Sequence, residues 1–440
     1  MFSLNIGGFG LFIIVLWAGL GLLNLYLSRD LFSPTKFYMV QLPIFFGGVI
    51  DGNWNIYTYI VCSVLVVSSV AQMTLESKAV VPHAKAHRRF KSIHDRISFP
   101  VRNINIPKVH LIVWLLSAIP LLIQFFVVYS SGGLTSFIGN LGGRVAWMSG
   151  MGPILILLRW LPIINMCYVS ILFCKRGISY WSVIFGILHT LLCVGNGLLV
   201  GSRSSSMFPL LFAVIACHFC RKRFSTFLLF VLCISFIVLS AYLGAVRETI
   251  KVDQSEIILA KKEGASDYRW SNFIYGLMGV DTVSEAQVEK LQYGLTYITA
   301  LTNFIPRRIW PGKPDTGGVT FTKEYLGDMW GGSSYATPGL FGEAMINFGL
   351  DFGLVIGVFL LLLGFKFNSV LYNYVVRMNS SDKTSNLWYF VVLYTVGIQY
   401  TNGLLVGEFA NCTVNFIINV IFIWVSIRCL AIAVVNKLES

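Results

Sequence analysis

Long apolar stretches separated by short polar segments dominate the chain. Several have about the 20 mostly apolar residues that a helix needs to cross a hydrocarbon layer of roughly 30 Å, where a helix satisfies its own backbone. The pattern predicts eleven transmembrane helices, of which the second is short and ends at Asp51. Their predicted ranges are 8–27, 37–50, 55–75, 109–129, 152–174, 179–200, 206–220, 224–245, 343–365, 387–407 and 412–434.

Composition agrees with this pattern. Of the 440 residues, 56% are hydrophobic and only 12% are charged. Soluble domains cannot bury so large an apolar share, and the chain has no internal repeat or low-complexity segment. We therefore expect an all-α polytopic membrane protein, folded as a single transmembrane domain over residues 1–440. The first apolar stretch lacks a basic n-region and a small-residue cleavage site, so we expect it to stay as a helix.

Lys and Arg residues predict the orientation. They concentrate in loops on one side of the eleven-helix arrangement, chiefly the loop from Lys78 to Lys108, the Lys175-Arg176 pair and the triplet Arg221-Lys-Arg223. Such loops stay cytoplasmic, so the N-terminus is expected outside and the C-terminus inside. The net charge of +13 is then a signal of topology, and no nucleic-acid partner is expected.

One extramembrane segment, residues 246–342, is large enough to be a small domain and is predicted to be external. Apolar residues three or four apart predict an amphipathic helix from Asp281 to Phe304, with Asp281 or Ser284 as N-cap and Pro306 just past its end. Its apolar positions are Val288, Leu291, Leu295, Ile298 and Leu301. The segment contains no cysteine, so its fold must depend on packing against the membrane helices.

No metal or cofactor is expected. Cys217 and Cys220 have CxxC spacing, but they lie at the inner end of a predicted span beside a basic triplet and lack a second ligand pair. His83 and His87 are four residues apart in the basic cytoplasmic loop, which we interpret as a solvated loop.

Arginines near the predicted outer face are the first candidates for a site. They are Arg159, about 10 Å into its span, Arg203 in the predicted tight turn Gly201–Ser206, Arg247 at the end of its span, and the pair Arg307-Arg308. An arginine at membrane depth is costly unless it is paired or wet, and several guanidinium groups together suit a pyrophosphate. The alternatives are structural: Arg159 pairing with Asp351, and Arg247 pairing with Glu248 or reaching the interface. Arg144 is a weaker candidate.

Carboxylates are the second set of candidates. Glu343 follows Gly342 at the start of a predicted span, where burial would raise its pKa toward the range useful for a general base. Glu324, Asp315, Asp328 and Glu408 are rivals. The structural alternative is that Glu343 caps its helix.

The segment Asn303-Phe-Ile-Pro-Arg-Arg-Ile-Trp-Pro-Gly-Lys-Pro314, followed by Thr337-Pro and Gly342-Glu-Ala-Met-Ile-Asn-Phe-Gly349, resembles the bacterial oligosaccharide repeat-unit polymerases, the Wzy-type O-antigen polymerases. The late external loop and a Gly-Ser-Arg sequence add to the resemblance. Close similarity is limited to these short segments; elsewhere it is topological.

The resemblance implies a metal-independent, GT-C-like glycosyltransferase of the bacterial cytoplasmic (inner) membrane. It would join undecaprenyl-pyrophosphate-linked repeat units, donor and acceptor, at the outer face, beside a flippase and a chain-length regulator. Glu343, or failing it Glu324 or Asp315, would be the base, and Arg203, Arg247, Arg307 or Arg308, with Arg159, would bind the pyrophosphate. The alternatives are an O-antigen ligase, which would use an external histidine that is not predicted here, and a transporter or lipid flippase.

Overall fold

The computed structural model describes most of the predicted helices and part of the external segment. The described residues are 6–27, 30–51, 54–79, 101, 104–139, 152–175, 177–199, 203–221, 224, 250–253, 256–259, 276–286, 290–303, 305, 309–327, 336–380 and 387–434. Helices dominate them, which confirms the helical class in its coarse form. The chain divides into two compact units, while a single domain stays a prediction. Unit 1 is Met1–Val81, Gly264–Asn373 and Val396–Ile417; unit 2 is Pro82–Glu263, Tyr374–Thr395 and Ile418–Ser440.

The helices follow one another in this order. They are α1 (Ile6–Leu27), α2 (Pro34–Phe46), α3 (Ile56–Ala79), α4 (Ile106–Ser130), α5 (Leu134–Gly139), α6 (Gly152–Leu158), α7 (Trp160–Cys174), α8 (Tyr180–Leu199), α9 (Arg203–Cys220), α10 (276–285), α11 (Leu295–Thr302), α12 (Gly317–Thr320), α13 (Gly339–Phe348), α14 (Leu350–Ser380), α15 (Leu387–Val406) and α16 (Phe409–Leu430). A π-helical turn, Phe321–Tyr325, continues α12, and short 3₁₀ turns follow α2 (Gly47–Asp51) and α16 (Ala431–Ala433).

Among the described residues, eight helical segments are long and apolar enough to cross a membrane. They are Gly8–Leu27, Ile56–Ser77, Ile106–Ser130, Ile154–Cys174, Tyr180–Leu199, Leu350–Met378, Leu387–Val406 and Phe409–Ala433. Each overlaps a predicted span. At predicted span 37–50 the structure has the 13-residue α2 with Pro43 inside it, and at 206–220 a shorter apolar helix, Ser206–Cys220. Predicted span 224–245 lies outside the described residues except for Phe224.

Two predicted spans are interrupted. The helix at 152–174 breaks at Arg159, because Pro162 has no N–H to bond to Leu158 and its ring crowds that carbonyl group. The span predicted at 343–365 breaks at Gly349, whose φ of 83° ends α13. Glu343 therefore lies on a separate short helix before the candidate span, which begins at Leu350.

The amphipathic helix predicted from Asp281 to Phe304 is also divided. Helix α10 ends at residue 285, and α11 begins at Leu295 after Tyr293 (φ 46°) and Gly294 (φ 84°). The backbone N–H groups of Gln292 and Tyr293 donate to carbonyl groups of α13 (3.1 and 2.9 Å) instead of to their own helix. These tertiary hydrogen bonds override the local periodicity. Asp281 lies inside α10, so it does not cap that helix.

The segment predicted to be external also contains a short β-hairpin, which the helical pattern did not predict. Strand β1 (Ile250–Asp253) pairs antiparallel with β2 (Glu256–Leu259), with Ile250 opposite Leu259 and Asp253 opposite Glu256. A two-residue connection of this kind needs only local pairing.

Each unit has its own core. In unit 1 a hydrophobic cluster joins α1, α2 and α3 to α10, α13 and α14. In unit 2 nearly every residue of α7 is buried, and α4, α8 and α9 pack around it. The outward faces of α4 and α8 are apolar, with exposed residues such as Leu115, Phe125, Ile187 and Leu191. An apolar outer face around a packed interior is the pattern of a helix bundle in lipid.

Candidate functional site

Helix α13 carries the principal predicted residue and is buried on all sides. Its residues from Gly339 to Asn347 are all buried. Gly353 lets α14 fold back against the last turns of α13, because a Cβ there would lie 2.5 Å from the Met345 Cα. Gly279 on α10 similarly lies against the Pro338 carbonyl group, 2.1 Å from where its Cβ would be. Close backbone contacts therefore fix α13 at the centre of unit 1.

The Glu343 carboxyl is completely enclosed, with 1% of the residue exposed. Its Oε1 accepts a hydrogen bond from the Thr296 hydroxyl (2.8 Å), and its Oε2 accepts one from the Phe409 backbone N–H (2.6 Å). Phe409 is the first residue of α16, so Glu343 satisfies the N-terminus of a different helix. The structural alternative, in which Glu343 caps its own helix, is wrong, since Glu343 is the fifth residue of α13.

Glu408 forms a second buried carboxyl beside it. It is 1% exposed, lies in the turn between α15 and α16, and accepts hydrogen bonds from the Gly318 backbone N–H and the Asn411 side chain. Gly317, the neighbouring residue, lies against Glu343: a Cβ added there would be 2.5 Å from Oε1. The Gly317-Gly318 pair therefore covers both carboxyl groups with backbone alone. We call Glu343 and Glu408 the buried carboxyl pair.

Burial shifts the acidity of both members of the pair. Loss of solvent raises the pKa of Glu343 to about 8; the hydrogen bonds from Phe409 and Thr296 oppose this rise, and the negative charge of Glu408 adds to it. Burial also raises the pKa of Glu408, against the hydrogen bonds from Gly318, Thr316 and Asn411. At neutral pH Glu343 is therefore mostly protonated, and a modest change in its surroundings ionises it.

Asn347 organises the other side of Glu343. Its Nδ2 donates to the Thr296 hydroxyl (2.7 Å) and to the Glu343 carbonyl group (2.8 Å), while its Oδ1 accepts from the Gly294 N–H (2.9 Å). The sequence analysis did not name Asn347 or Thr296 as site residues. The signal for Asn347 was its position four residues after Glu343, on the same face of the helix. Nothing in the sequence pointed to Thr296.

The Tyr297 hydroxyl is a further polar group near the pair. Its ring packs edge-on against Phe409 (centroids 5.0 Å apart), and its hydroxyl is buried with no hydrogen-bond partner among the described residues. Burial raises the pKa of Tyr297, and the charge of Glu343 contributes. Within the described part of the chain, the hydroxyl is therefore a buried donor whose hydrogen-bonding capacity is unused.

The other predicted carboxylates lie apart from the pair, nearer the surface. Asp315 Oδ2 forms an ion pair with Lys323 Nζ (3.0 Å), and its side chain is 28% exposed. Glu324 is exposed and accepts from the Gln292 amide at 3.3 and 3.4 Å. Both belong to the stretch that also contributes Gly317 and Gly318. Asp328 lies outside the described residues.

Of the predicted arginines only Arg159 has a described side chain, so their assembly into one site stays a prediction. Helix α9 begins at Arg203, so residues 203–206 are helical and the predicted tight turn there is wrong; Ser204–Ser206 suit a helix start. Only the backbone of Arg203 is described. Arg159 is exposed at the break between α6 and α7. Four more candidates lie outside the described residues: Arg144, Arg247, Arg307 and Arg308.

Lys313 and Trp310, from the same motif, are described. Lys313 is 9% exposed and its Nζ donates to the Ile305 carbonyl group (3.1 Å), whereas Trp310 is exposed. Tyr325 is half-buried and stacks on Phe321 (centroids 6.0 Å apart). The described residues of the motif thus combine a buried lysine with an exposed aromatic side chain.

A small pocket lies elsewhere in unit 1, between α2, α3, α14 and α15, with Leu340 of α13 at one side. The residues with polar side chains in its lining are Tyr38, Gln72, Asn368, Thr401 and Asn402. Glu343 does not line it, so this pocket is separate from the buried carboxyl pair.

Within the described part of the chain, eight helices long and apolar enough to cross a membrane, together with exposed apolar side chains on their outer faces, define the class: this is a helical, multi-pass membrane protein. Comparisons with models of known protein families, with characterised proteins and with solved structures gave no significant match. The class therefore follows from the chain and its structure alone.

Proposed function

We propose that this protein is a repeat-unit polymerase: a membrane glycosyltransferase that joins oligosaccharide units carried on undecaprenyl pyrophosphate. One observation carries the proposal. Two segments meet at the Glu343 carboxyl group. The first, Gly342–Gly349, resembles the polymerases and contains Glu343 and Asn347. The second directly follows the motif that ends at Pro314, and its Gly317 lies against the Glu343 carboxyl. The O-antigen polymerases are the class that this resemblance favours, and capsule or exopolysaccharide polymerases share the chemistry.

Glu343 is the base in this proposal. The acceptor sugar hydroxyl attacks the anomeric carbon of the donor, the bond from that carbon to the pyrophosphate oxygen breaks, and the hydroxyl proton passes to the Glu343 carboxylate. A pKa of about 8 suits a base better than that of an ordinary carboxylate, because proton affinity is matched to the working pH. The Tyr297 hydroxyl is a donor that can orient the acceptor.

If Glu343 is the base, the acceptor hydroxyl must be able to reach its buried carboxyl group. Glu343 is enclosed by the Gly317 backbone, so the acceptor hydroxyl reaches it only if the Thr316–Gly318 stretch moves aside. That stretch is attached through hydrogen bonds to Glu408 and contains two glycines, which restrict the backbone least. Substrate binding would supply the energy for this movement, as in enzymes that close or open loops during turnover.

The arginines are assigned to the leaving group. Guanidinium groups of Arg203, Arg247 and one of Arg307 or Arg308 would bind the pyrophosphate and neutralise the charge that grows as the glycosidic bond breaks. The position of Arg203 at the first turn of α9 supports its role, because helix N-termini favour phosphate groups. Arg159, which is exposed, would add positive charge for the same leaving group.

The function is tested by reconstitution. The purified protein is placed in liposomes with lipid-linked repeat units extracted from its host bacterium, and glycan length and released undecaprenyl pyrophosphate are measured. We expect a ladder of long glycans with stoichiometric release of the carrier. Arg203→Ala and Arg247→Ala should leave only single repeats. Unchanged ladders in the double variant would refute the pyrophosphate assignment, and no glycan extension by the wild type would refute the function.

The base is identified by three matched amide substitutions. Glu343→Gln should slow chain extension roughly 100-fold or more, the usual contribution of a general base, whereas Glu324→Gln and Asp315→Asn should not. Glu285→Gln, at an exposed carboxylate of α10, is the control. The wild-type rate should rise with pH and level off above about 8. If Glu324→Gln or Asp315→Asn abolishes extension while Glu343→Gln does not, the base is the exposed residue.

A transport function is the second candidate, and one observation favours it. The interruptions at Arg159 and Gly349 are discontinuous helices, a feature that many transporters use to build substrate sites. The same liposomes distinguish the two functions: a transporter or flippase moves the lipid-linked unit across the membrane without lengthening its glycan.

A further inference from the structure

A line of polar side chains runs through the otherwise apolar interior of unit 2. Helices α4, α7 and α8 each turn such residues toward one another on their buried faces. We call this line the polar seam. Its members are His110, Ser117 and Gln124 on α4, Asn165 and Tyr168 on α7, and Ser182, His189, Thr190, Cys193 and Asn196 on α8. Ionisable residues within membrane helices are rare and usually functional, and the proposed polymerase chemistry uses none of these.

One end of the polar seam is connected to solvent. Ser179, exposed just before α8, is 2.9 Å from the Ser182 hydroxyl, which is 3.0 Å from His110 Nε2. His110 Nδ1 is in turn 2.6 Å from the Tyr168 hydroxyl. Four groups thus form an unbroken hydrogen-bonded chain from the surface to α7.

A second hydrogen-bonded group continues deeper in the bundle. His189 is fully buried, with Nε2 2.8 Å from the Ser117 hydroxyl and Nδ1 2.9 Å from Asn165 Oδ1. The Thr190 hydroxyl donates to the same amide oxygen (3.2 Å). The Tyr168 ring contacts both imidazoles, with centroids 5.6 Å from His110 and 5.5 Å from His189. Tyr168 therefore lies between the two hydrogen-bonded groups and is in ring contact with both imidazoles, so a bridging water would complete the path from its hydroxyl to His189.

The hydrogen-bond partners of each imidazole allow its proton to reside on either ring nitrogen. Both nitrogens of His110 face hydroxyl groups, which donate or accept equally well, so either tautomer is satisfied. His189 faces a hydroxyl at one nitrogen and the Asn165 amide at the other, and rotation of that amide by half a turn exchanges acceptor for donor. Each imidazole can therefore hold its proton on either nitrogen with its partners still satisfied.

Several buried polar atoms along the polar seam have no hydrogen-bond partner within the described part of the protein. They are Asn165 Nδ2, Trp114 Nε1, Asn196 Oδ1 and both polar atoms of the Gln124 amide. Buried polar groups without protein partners normally bind ordered water. From His110 to Gln124 the helix rises about 21 Å, most of the roughly 30 Å hydrocarbon thickness. Water at these atoms would extend the chain of hydrogen bonds over that length.

We propose that the polar seam conducts protons through unit 2, with His110 and His189 as the carriers. Each imidazole takes up a proton at one nitrogen and releases another from the opposite nitrogen, and the hydroxyl groups and waters pass it on. No bond other than O–H and N–H changes, and nothing is oxidised or reduced. This activity is separate from the proposed glycosyl transfer.

The charged and titratable surroundings fit this role. Cys167 and Tyr168 on α7 and Cys193 on α8 are the titratable neighbours, and Tyr389 lies beyond Cys167. Lys175 is near the entrance, where its Nζ donates to the Ile104 carbonyl group. On α9, Cys217, His218 and Cys220 are the titratable residues of the described side chains. Helices α4, α7, α8 and α9 contain no Asp or Glu. With no carboxylate on these helices, the two imidazoles are the groups of the polar seam that can pass a proton from one ring nitrogen to the other.

The test uses the full-length protein in liposomes that contain a trapped pH-sensitive dye. A potassium gradient with valinomycin drives protons inward, and the dye reports the rate of internal acidification. Wild-type vesicles should acidify severalfold faster than protein-free vesicles. His110→Gln, His189→Gln and Tyr168→Phe should each return the rate to the protein-free level, because an amide keeps the hydrogen bonds but cannot carry the proton.

His218→Gln is the matched control, since this histidine of α9 accepts from the Phe224 N–H outside the polar seam. It should acidify like the wild type. If any seam variant fails to purify as a folded protein, Ser182→Ala removes only the hydroxyl that links His110 to Ser179 and should slow acidification. Equal rates for wild-type and protein-free vesicles, or wild-type rates in the variants, would overturn the proposal and leave the polar seam as a helix-packing contact.

Discussion

Replacing Glu343 by glutamine keeps the shape of the side chain but removes its ability to ionise. The glutamine oxygen can still accept from the Phe409 N–H, and its amide can donate to the Thr296 hydroxyl, which has a spare lone pair. The substitution therefore tests the burial of a charge with little change in packing.

The size of the effect follows from the shift of one pKa. Loss of solvent raises the pKa of Glu343 from 4.5 to about 8 in the folded protein. Between these values the unfolded chain binds fewer protons than the folded one, so the free energy of unfolding falls as pH rises. The complete shift corresponds to roughly 5 kcal/mol, with the loss finished above pH 8. Glutamine does not titrate, so the variant lacks this fall.

Thermal unfolding in detergent micelles, followed by tryptophan fluorescence, measures the difference between wild type and Glu343→Gln. We expect the melting temperature of the wild type, relative to the variant, to decrease steadily from about pH 5 to about pH 8 and then level off. For Glu285→Gln, at an exposed carboxylate, the difference in melting temperature from the wild type should not show this decrease between pH 5 and pH 8. A difference that stays constant with pH, or that rises, would refute the burial of an ionisable Glu343.

Two further substitutions test the packing around the site. Gly317→Ala places a Cβ 2.5 Å from Glu343 Oε1 and should destabilise the protein by about 1–3 kcal/mol. The control Gly312→Ala adds its Cβ in open space and should be nearly neutral. Equal melting temperatures for the two variants would contradict the close contact at Gly317. Asp281→Ala removes the acceptor of the Asn55 N–H (2.8 Å) and the Thr58 hydroxyl (3.0 Å) at the start of α3, and should lower stability by about 1–3 kcal/mol. Asp281→Asn keeps the acceptor oxygen and should lose less, so similar melting of both variants would argue against the contact.

Most of the membrane-spanning helices could be predicted from the sequence, because length and apolar content are sufficient to identify a candidate span. The interruptions were not. Pro162 and Gly349 are visible in the sequence, but proline and glycine are tolerated inside many membrane helices. What decides the break at Gly349 is the packing of α14 back against α13, and that contact depends on Gly353 lying against the backbone of Ala344 and Met345.

Of the candidate site, the sequence predicted Glu343 and named Glu408 as a rival, but it did not predict that they form a pair. Their proximity depends on the turn before α16 and on the Gly317-Gly318 stretch, which are far apart along the chain. Thr296 could not be predicted either, since the periodicity favoured one continuous helix from Asp281. That expectation failed because Asn347 and the α13 carbonyl groups take the backbone N–H groups of residues 292–294.

The buried carboxyl pair has a structural role, in capping two helices, and Glu343 in addition has the proposed role of accepting a proton. Both α12 and α16 begin inside unit 1, where their first N–H groups are cut off from water and need acceptors. Glu408 and Glu343 supply those acceptors, and a neutral amide would serve the Phe409 N–H equally well. An ionisable group is required at position 343 only if a proton is exchanged there. A Glu343→Gln variant that melts at or above the wild-type temperature yet extends no glycan would therefore separate the catalytic role from the structural one, whereas full activity would leave Glu343 with the structural role alone.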